Sequence, residues 1–263
     1  MIFIYKKIII YKQKLRILLS NNTINKIFGK FKNFNSALKN SKIGYKQKSI
    51  FHKIKNSTLI VKKKIFPYQR DSILFEKIPF NKNLYKVFFI LNKNKNKKIN
   101  VVDYGGAFGN VYDQVTSFFK KIDLNWNIIE QKHFVKFAKK NFQNNNLKFF
   151  YNLNEIKEKI NLILFSNSLQ YLKEPYKTLS LLVKKSSDYI CIDSIPLSDS
   201  PEYVSIETPP DYIYDCSYPI WILNKKNLIN FLKKKNYTLV NNKILNYTIS
   251  DIRYYFLLFK KKS

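Results

Sequence analysis

Three of the chain's five glycines lie in one short segment, at Gly105, Gly106 and Gly109. The segment follows Asp103 and a β-branched run, and a stretch with helical character comes after it. Glycines between a strand and a helix let the backbone turn tightly and come close to a ligand. The pattern therefore predicts a ligand-binding loop, and an ordinary tight turn between a strand and a helix is the alternative.

An acidic residue, Glu130, ends the next apolar stretch of the chain. It follows the first of these glycines by about 25 residues, close to the spacing found in dinucleotide-binding sheets. In such sheets an acidic residue at this position accepts hydrogen bonds from ribose hydroxyls. Glu130 is therefore predicted to bind the ribose of a cofactor that the glycine-rich loop also holds.

Strands and helices alternate around these residues. Apolar and β-branched runs predict five strands, at 99–103, 126–130, 147–151, 161–166 and 189–193, and two closing strands within 237–259. Helices are predicted from the glycines to about residue 121, and at 133–142, 172–185 and 224–235. The segment 194–222 is rich in Pro and Tyr and is predicted to be irregular. The alternation predicts an α/β fold with a mostly parallel sheet that is covered on both faces.

The first 96 residues differ from the rest of the chain. They are basic, lean toward helix and show little of the alternation expected of strands. They end in a run of Asn and Lys at 92–98, which is typical of a solvated connection. We therefore predict a basic, mainly helical N-terminal region at 1–96 and a Rossmann-like domain at 97–263.

The glycine-rich loop resembles motif I of class I S-adenosylmethionine-dependent methyltransferases, which commonly reads Asp-x-Gly-x-Gly-x-Gly. Ala107 stands where that motif has its middle glycine, and its methyl group tightens the space around the amino acid part of the cofactor. More narrowly, the chain resembles a bacterial methyltransferase family known mainly by sequence. The matching stretches are 41–45, 70–72, 103–106, 126–131, 147–149, 168–175 and 217–221. The resemblance implies a Rossmann-like class I methyltransferase sheet and S-adenosyl-L-methionine as cofactor.

The resemblance also implies roles for polar residues at the ends of the predicted strands. Asp103 would orient the glycine loop or bind the cofactor's ammonium group through water. The glycines would let the backbone approach, and Glu130 would hold the ribose. Further candidates for cofactor binding are Asn152 beside the adenine, and Ser166, Asn167 and Gln170 near the methyl group.

Three residues are predicted to be catalytic, at the side of the methyl acceptor. Asp193 ends the fifth strand on the same rim as the glycine loop, while Glu207 and Tyr218 lie in the irregular segment, where a substrate lid is expected. A base is needed only where the acceptor is a poorly acidic hydroxyl, as in an O-methyltransferase. No His and carboxylate cluster has the spacing of metal ligands, so no metal is predicted.

The chain is strongly basic, with 48 Lys and Arg against 17 Asp and Glu and a net charge of +31. An anionic partner such as nucleic acid, anionic lipid or a phosphorylated substrate would explain this charge. A bias toward residues with codons rich in A and T, such as Lys, Asn and Ile, would also explain it. No apolar stretch reaches the roughly 20 residues that span a bilayer. We expect a cytoplasmic protein, with the basic N-terminal helix as a candidate contact to an anionic membrane.

The leading functional hypothesis is methylation of a small-molecule or glycan acceptor, without a specific nucleic acid partner. A role in surface polysaccharide biosynthesis is suggested by the family resemblance alone. An RNA methyltransferase is the second hypothesis, which the positive charge favours. A catalytically inactive interaction protein with this fold is the third, because fold does not guarantee activity.

Overall fold

The computed structural model describes residues 2–42, 48–93, 98–249 and 251–262. The helices are α1 (Ile2–Leu18), α2 (Phe34–Asn40), α3 (Lys48–Lys62), α4 (Lys82–Leu91), α5 (Asn110–Phe118), α6 (Lys132–Asn141), α7 (Pro175–Val183) and α8 (Lys225–Lys234). The strands are β1 (Lys26–Phe31), β2 (Tyr68–Arg70), β3 (Ile73–Phe75), β4 (Ile99–Tyr104), β5 (Leu124–Ile129), β6 (Leu147–Phe150), β7 (Leu162–Ser166), β8 (Tyr189–Ser198), β9 (Tyr203–Thr208), β10 (Tyr218–Asn224), β11 (Tyr237–Ile249) and β12 (Ile252–Lys261). Two short 3-10 helices lie at Leu153–Glu155 and Leu169–Tyr171.

The chain forms two compact units. The first contains the described residues up to Pro79 together with Tyr203–Ile220, and the second contains Phe80–Glu202 and the residues from Trp221 onward. The sequence-based domain limit between residues 96 and 97 lies outside the described residues, as do residues 43–45 of the matched stretch 41–45. The predicted domains, 1–96 and 97–263, therefore stay a prediction.

The second unit is built on a sheet with the strand order β6-β5-β4-β7-β8-β12-β11. The five strands from β6 to β8 are parallel, and β12 runs antiparallel to both β8 and β11. The order reverses at β4, because the chain first builds β5 and β6 on one side and then β7 and β8 on the other. This topology confirms the predicted fold class, an α/β, Rossmann-like and mostly parallel sheet.

Apolar side chains cover both faces of this sheet. Strand β7 is apolar from Leu162 to Phe165 and wholly buried over those residues, as a strand inside a parallel sheet requires. Helices α7 and α8 contribute Leu179 and Leu228 to a core that also includes Ile163 and Ile190. Pro175 begins α7, where the missing amide costs no hydrogen bond.

The first unit contains helices α1 to α3, so the predicted helical character of the N-terminal region is confirmed. It also contains strands that were not predicted. β1 pairs antiparallel with β9, and β2 pairs antiparallel with β3 in a short hairpin. The side chains of Ile50 and Ile54 on α3 are buried.

The prediction that 194–222 is irregular is wrong. Strand β8 continues to Ser198, β9 lies wholly within this segment, and β10 begins in it at Tyr218. Pro201 and the pair Pro209–Pro210 lie between the strands, whereas Pro196 lies in β8 and Pro219 is the second residue of β10, so proline does not exclude strand structure here. Ser194 adopts a φ of +60° within β8, a local irregularity in an otherwise extended strand.

Candidate functional site

The glycine-rich loop joins β4 to α5 in an unusual backbone conformation. Gly105, Ala107 and Gly109 have φ values of +77°, +47° and +89°, in the left-handed region that favours glycine. The amide of Gly105 donates to the carbonyl of Ile129 at 2.9 Å, which ties the loop to the end of β5. Gly109 is the N-cap of α5. The left-handed conformation is strained only at Ala107, since glycine adopts it freely. Backbone strain of this kind is common at ligand sites.

Neighbouring side chains leave no room for larger residues at two of the glycines. A Cβ atom on Gly105 would lie 2.8 Å from the Cβ of Ser168. A Cβ atom on Gly106 would collide with the carboxylate of Asp103. Close packing alone therefore demands glycine at both positions, whether or not a ligand is bound.

Asp103 lies beneath the loop, with its side chain fully buried. Its Oδ2 accepts a hydrogen bond from Trp126 Nε1 at 3.1 Å, and its Oδ1 has no partner among the described residues. The pKa of this carboxyl is raised to about 7, mainly by burial and to a smaller extent by the charge of Glu130, while the Trp126 hydrogen bond lowers it. This placement fits support of the glycine loop better than direct contact with a ligand.

Glu130 joins the end of β5 to the glycine loop. Its Oε2 accepts a hydrogen bond from the amide of Ala107 at 3.2 Å, and its Oε1 accepts one from the amide of Gln131 at 2.8 Å. Burial raises the pKa of Glu130, and these two amide bonds oppose the rise. Glu130, the residue that is predicted to bind the ribose, therefore lies directly beside the glycine loop. The spacing between the loop and Glu130 in the sequence led us to expect this.

The loop after β7 lies against the same edge of the sheet. Ser168 Oγ donates to the carbonyl of Tyr104 at 2.5 Å, and the amide of Asn167 donates to the carbonyl of Asp193 at 2.8 Å. Gln170 Nε2 donates to Asn167 Oδ1 at 2.6 Å, whereas the buried Gln170 Oε1 has no partner in the described part of the chain. Asn167 has a φ of +53°, a conformation that Asn tolerates better than most residues.

Asp193 is held by a residue that the sequence reasoning missed. Its side chain is 3% exposed, and its Oδ2 accepts a hydrogen bond from Asn81 Nδ2 at 3.3 Å. Asn81 Oδ1 in turn accepts from the amides of Asn83 and Leu84 and caps α4. An Asn before an apolar helix is a recognisable capping signal, but nothing in the sequence connects Asn81 to Asp193.

These contacts bring most of the predicted site residues to one edge of the sheet. β4 pairs with β5 on one side and with β7 on the other, and Ser166 lies opposite Asp193 in the register of β7 and β8. In open α/β sheets, ligands bind outside the carboxyl ends of the strands where the strand order reverses. The site residues on this edge are Asp103, Gly105, Gly106, Gly109, Glu130, Ser166, Asn167, Gln170 and Asp193.

Asn152 follows β6 and is exposed. Its Oδ1 accepts from the amide of Asn154 at 3.0 Å, and its Nδ2 donates to Glu155 Oε1 at 2.9 Å. These bonds form a capping box on a short 3-10 helix. Its predicted role beside an adenine stays a prediction.

Glu207 and Tyr218 belong to the first unit and are buried. Glu207 lies in β9, where its Oε1 accepts a hydrogen bond from Asn25 Nδ2 at 3.1 Å. The charges of Lys53, Asp215 and Glu207 act on the buried thiol of Cys216, and burial is the main reason why its pKa rises to about 11. This group of ionisable side chains was not predicted, because β9 was not expected to bring Glu207 close to the N-terminal helices.

Across the described ranges, no group of three or more His, Cys, Asp and Glu side chains is arranged to hold a metal ion. Cys191 and Cys216 are both buried and free of disulfide bonds. The expectation of a metal-independent reaction stays a prediction.

Comparisons with family models and with curated proteins found no match. Among solved structures, the chain is similar to 1,6-didemethyltoxoflavin-N1-methyltransferase from Burkholderia thailandensis, at 14% identity over 69% of this chain and 79% of that one, with a TM-score of 0.45. It is also similar to an S-adenosylmethionine-dependent methyltransferase from Clostridium acetobutylicum, at 11% identity over 80% and 99% of the two chains, with a TM-score of 0.49.

A third similar structure is magnesium protoporphyrin IX methyltransferase from Synechocystis, at 10% identity over 80% of this chain and 97% of that one, with a TM-score of 0.47. Likeness at this level does not establish a shared activity. The narrower bacterial family that the sequence resembles stays a prediction, because no family model matches.

Proposed function

We propose that the chain is an S-adenosylmethionine-dependent methyltransferase. The observation that carries this proposal is the contact between Glu130 and the amide of Ala107 at the reversal point of the sheet. It joins an acidic residue at the end of the second parallel strand to a glycine loop at the end of the first. Sheets of this kind bind ribose-containing ligands at that position. Among such ligands, the resemblance of the glycine loop to motif I favours S-adenosylmethionine.

The residues present fit this cofactor. The glycine loop offers backbone that a ligand can approach. Each carboxylate oxygen of Glu130 accepts one backbone amide bond and can accept a second bond from a ribose hydroxyl. Gln170 Oε1 is a buried acceptor that no described residue satisfies, so it is available to a ligand's donor. Gly105, Gly106, Gly109, Ser166 and Asn167 would contact the cofactor, Asp103 would support the loop, and Asn152 is proposed beside the adenine.

When bound, the cofactor supplies an electrophilic methyl group on a sulfonium. The chain's own part is then to hold the acceptor in line with that group, and correct positioning provides much of the rate. We propose a hydroxyl acceptor on a small molecule or glycan, with the Asp193 carboxylate accepting the hydroxyl proton. The catalytic roles of Glu207 and Tyr218, which belong to the first unit, stay predictions from the sequence. A role in surface polysaccharide assembly and a cytoplasmic location rest on the sequence alone.

Titration calorimetry with S-adenosylmethionine and its demethylated product tests the cofactor. We expect micromolar dissociation constants for the wild-type protein. The Glu130→Gln variant keeps one acceptor oxygen but loses the charge, so its affinity should fall by about tenfold or more. Glu158→Gln, at an exposed carboxylate 4.0 Å from Lys148, is the matched control and should bind normally. If neither ligand gave a heat of binding with folded protein, the proposal would be wrong.

Transfer of a labelled methyl group tests the class of acceptor. Polysaccharide and small-molecule extracts should become labelled, and Asp193→Asn should abolish the labelling while leaving cofactor binding intact. Labelling of RNA instead would favour the runner-up, an RNA methyltransferase, for which the net charge of +31 is the supporting observation. Cofactor binding without transfer to any extract would favour an inactive interaction protein.

A further inference from the structure

Helix α1 is fixed to the first unit along one face. Gln13 Nε2 donates to the carbonyl of Leu74 at 3.2 Å, and the amide of Leu74 donates back to Gln13 Oε1 at 3.2 Å. Lys6 lies 3.7 Å from a carboxylate oxygen of Glu76, and its ammonium lies over the ring of Phe66. The helix therefore presents its opposite face outward in a defined orientation.

The outward face of α1 is apolar. We call it the α1 stripe; its members recur at spacings of three and four residues, which places them on one side of a helix. The α1 stripe consists of Ile4, Ile8, Tyr11, Leu15 and Leu18, with exposed fractions of 64%, 45%, 67%, 39% and 81%. Single exposed apolar residues need no explanation, but a contiguous stripe of this kind marks an interaction surface.

Basic side chains border the α1 stripe on both sides. On an α-helix, Lys7 and Lys14 fall along one border and Lys12 and Arg16 along the other. Helix α1 contains no acidic residue. An apolar stripe between two basic borders matches a bilayer surface with anionic headgroups, since the stripe enters the headgroup boundary and the basic residues meet the lipid phosphates.

We propose that the α1 stripe docks the protein on an anionic lipid surface. A second copy of the chain suits the stripe less well, because pairing two such helices would bring the basic borders together without an acidic partner. No helix in the described ranges is both long and apolar enough to pass through a bilayer. The helix would therefore lie along the membrane surface, and this inference is independent of the proposed methyltransferase activity.

Co-sedimentation of the full chain with lipid vesicles tests the proposal without any cofactor. We expect binding to vesicles of phosphatidylcholine and phosphatidylglycerol, and little binding to phosphatidylcholine alone. The double variant Ile8→Gln and Leu15→Gln changes only exposed residues and keeps good helix formers, so it should fold. It should reduce the partition coefficient by about tenfold or more. The matched control is Leu181→Gln on α7, where Leu181 is 52% exposed.

A second pair of variants separates charge from apolar contact. Lys12→Gln with Lys14→Gln should weaken binding severalfold, whereas Lys233→Gln with Lys234→Gln on α8 removes the same charge elsewhere and should have little effect. Failure of the wild-type protein to bind anionic vesicles would overturn the proposal, as would equal binding by the double Gln variant of the stripe. A dimer of the wild-type protein in sedimentation velocity, lost in the Ile8→Gln and Leu15→Gln variant and without any vesicle binding, would also overturn the proposal. The α1 stripe would then be an interface between two copies of the chain.

Discussion

Ala107 adopts a left-handed conformation, with a φ of +47°, although it carries a side chain. This conformation costs an L-residue about 1–2 kcal/mol, and a glycine would avoid that cost but lose more entropy on folding. We expect Ala107→Gly to raise the free energy of unfolding by about 0.5 kcal/mol. Urea titration measures the change.

The same substitution at an ordinary helical position provides the control. Ala138 is buried in α6, and Ala138→Gly should lower the free energy of unfolding by about 1 kcal/mol. If Ala107→Gly destabilised the protein as much as the control, the left-handed conformation of Ala107 would not be strained in solution.

Asp103 should make the stability of the protein depend on pH. Its pKa rises from an ordinary value of 3.8 to about 7 on folding, so the folded state holds a proton that the unfolded state releases. This contribution is fully present below about pH 4 and is lost as the pH rises through about 7. The loss amounts to at most about 4 kcal/mol.

Comparison with Asp103→Asn isolates this effect from the titration of other groups. The Asn side chain keeps an acceptor for Trp126 Nε1 but cannot ionise. Wild type should lose stability relative to Asp103→Asn between about pH 4 and pH 7, measured by urea titration at each pH. A constant difference across that range would show that Asp103 is not a protonated, buried carboxyl.

Among the individual residues, the glycine loop and Glu130 could be identified from the sequence. Glycine is rare in this chain, and Glu130 follows the loop at a spacing that is typical of dinucleotide-binding sheets. The sequence could not reveal Asn81, because that residue and Asp193 meet only through the tertiary fold. It also gave no sign that Asp103 lies wholly beneath the loop, since burial of a carboxylate depends on how Trp126 packs.

Among the elements, α4 has a cap that also serves the candidate site. Asn81→Ala removes both the cap and the bond to Asp193, and should lower the free energy of unfolding by about 1 kcal/mol. Asn81→Ser keeps a capping oxygen but is too short to replace the bond to Asp193. Both variants should lower kcat in the methyl-transfer assay, and only Asn81→Ala should lower the urea midpoint clearly.

This pair distinguishes positioning from capping. If Asn81→Ser had a normal kcat while Asn81→Ala did not, the effect of Asn81 would act through the stability of α4. If both had a normal kcat, Asp193 would not need Asn81 for its role.

The strands of the parallel sheet were predictable because they are short apolar runs, and β4 and β5 are each followed by an α-helix. β1 and β9 escaped prediction for a different reason. β1 is an edge strand with a weak local signal, and it contains Gly29 with a φ of +75° near a shift in register. β9 lies between β1 and β10, but it is a short run inside a segment rich in Pro and Tyr. β1 and β9 pair although they are far apart in the chain, and local sequence patterns do not indicate such long-range pairing.

For the whole molecule, the net charge of +31 predicts weak and sequence-independent contact with nucleic acid. Phosphate contacts release counterions, so affinity for a labelled RNA should fall about 1000-fold or more between roughly 50 and 200 mM salt. Fluorescence anisotropy measures this slope, and an unlabelled RNA of unrelated sequence should compete equally. One RNA species retained at about 150 mM salt would instead support an RNA substrate.

The first unit is assembled from two segments that are far apart in the chain, and this arrangement affects synthesis on the ribosome. Asn25 just before β1 is hydrogen-bonded to Glu207 in β9, and the two residues are separated by 182 positions. At ordinary translation rates, β1 waits roughly 10–40 s for its partner to be made. During that interval its backbone edge is unpaired and open to other chains. The glycine loop and its parallel strands lie between the two segments and are made before the second one. The nascent chain can therefore complete much of its candidate site before its first unit has folded.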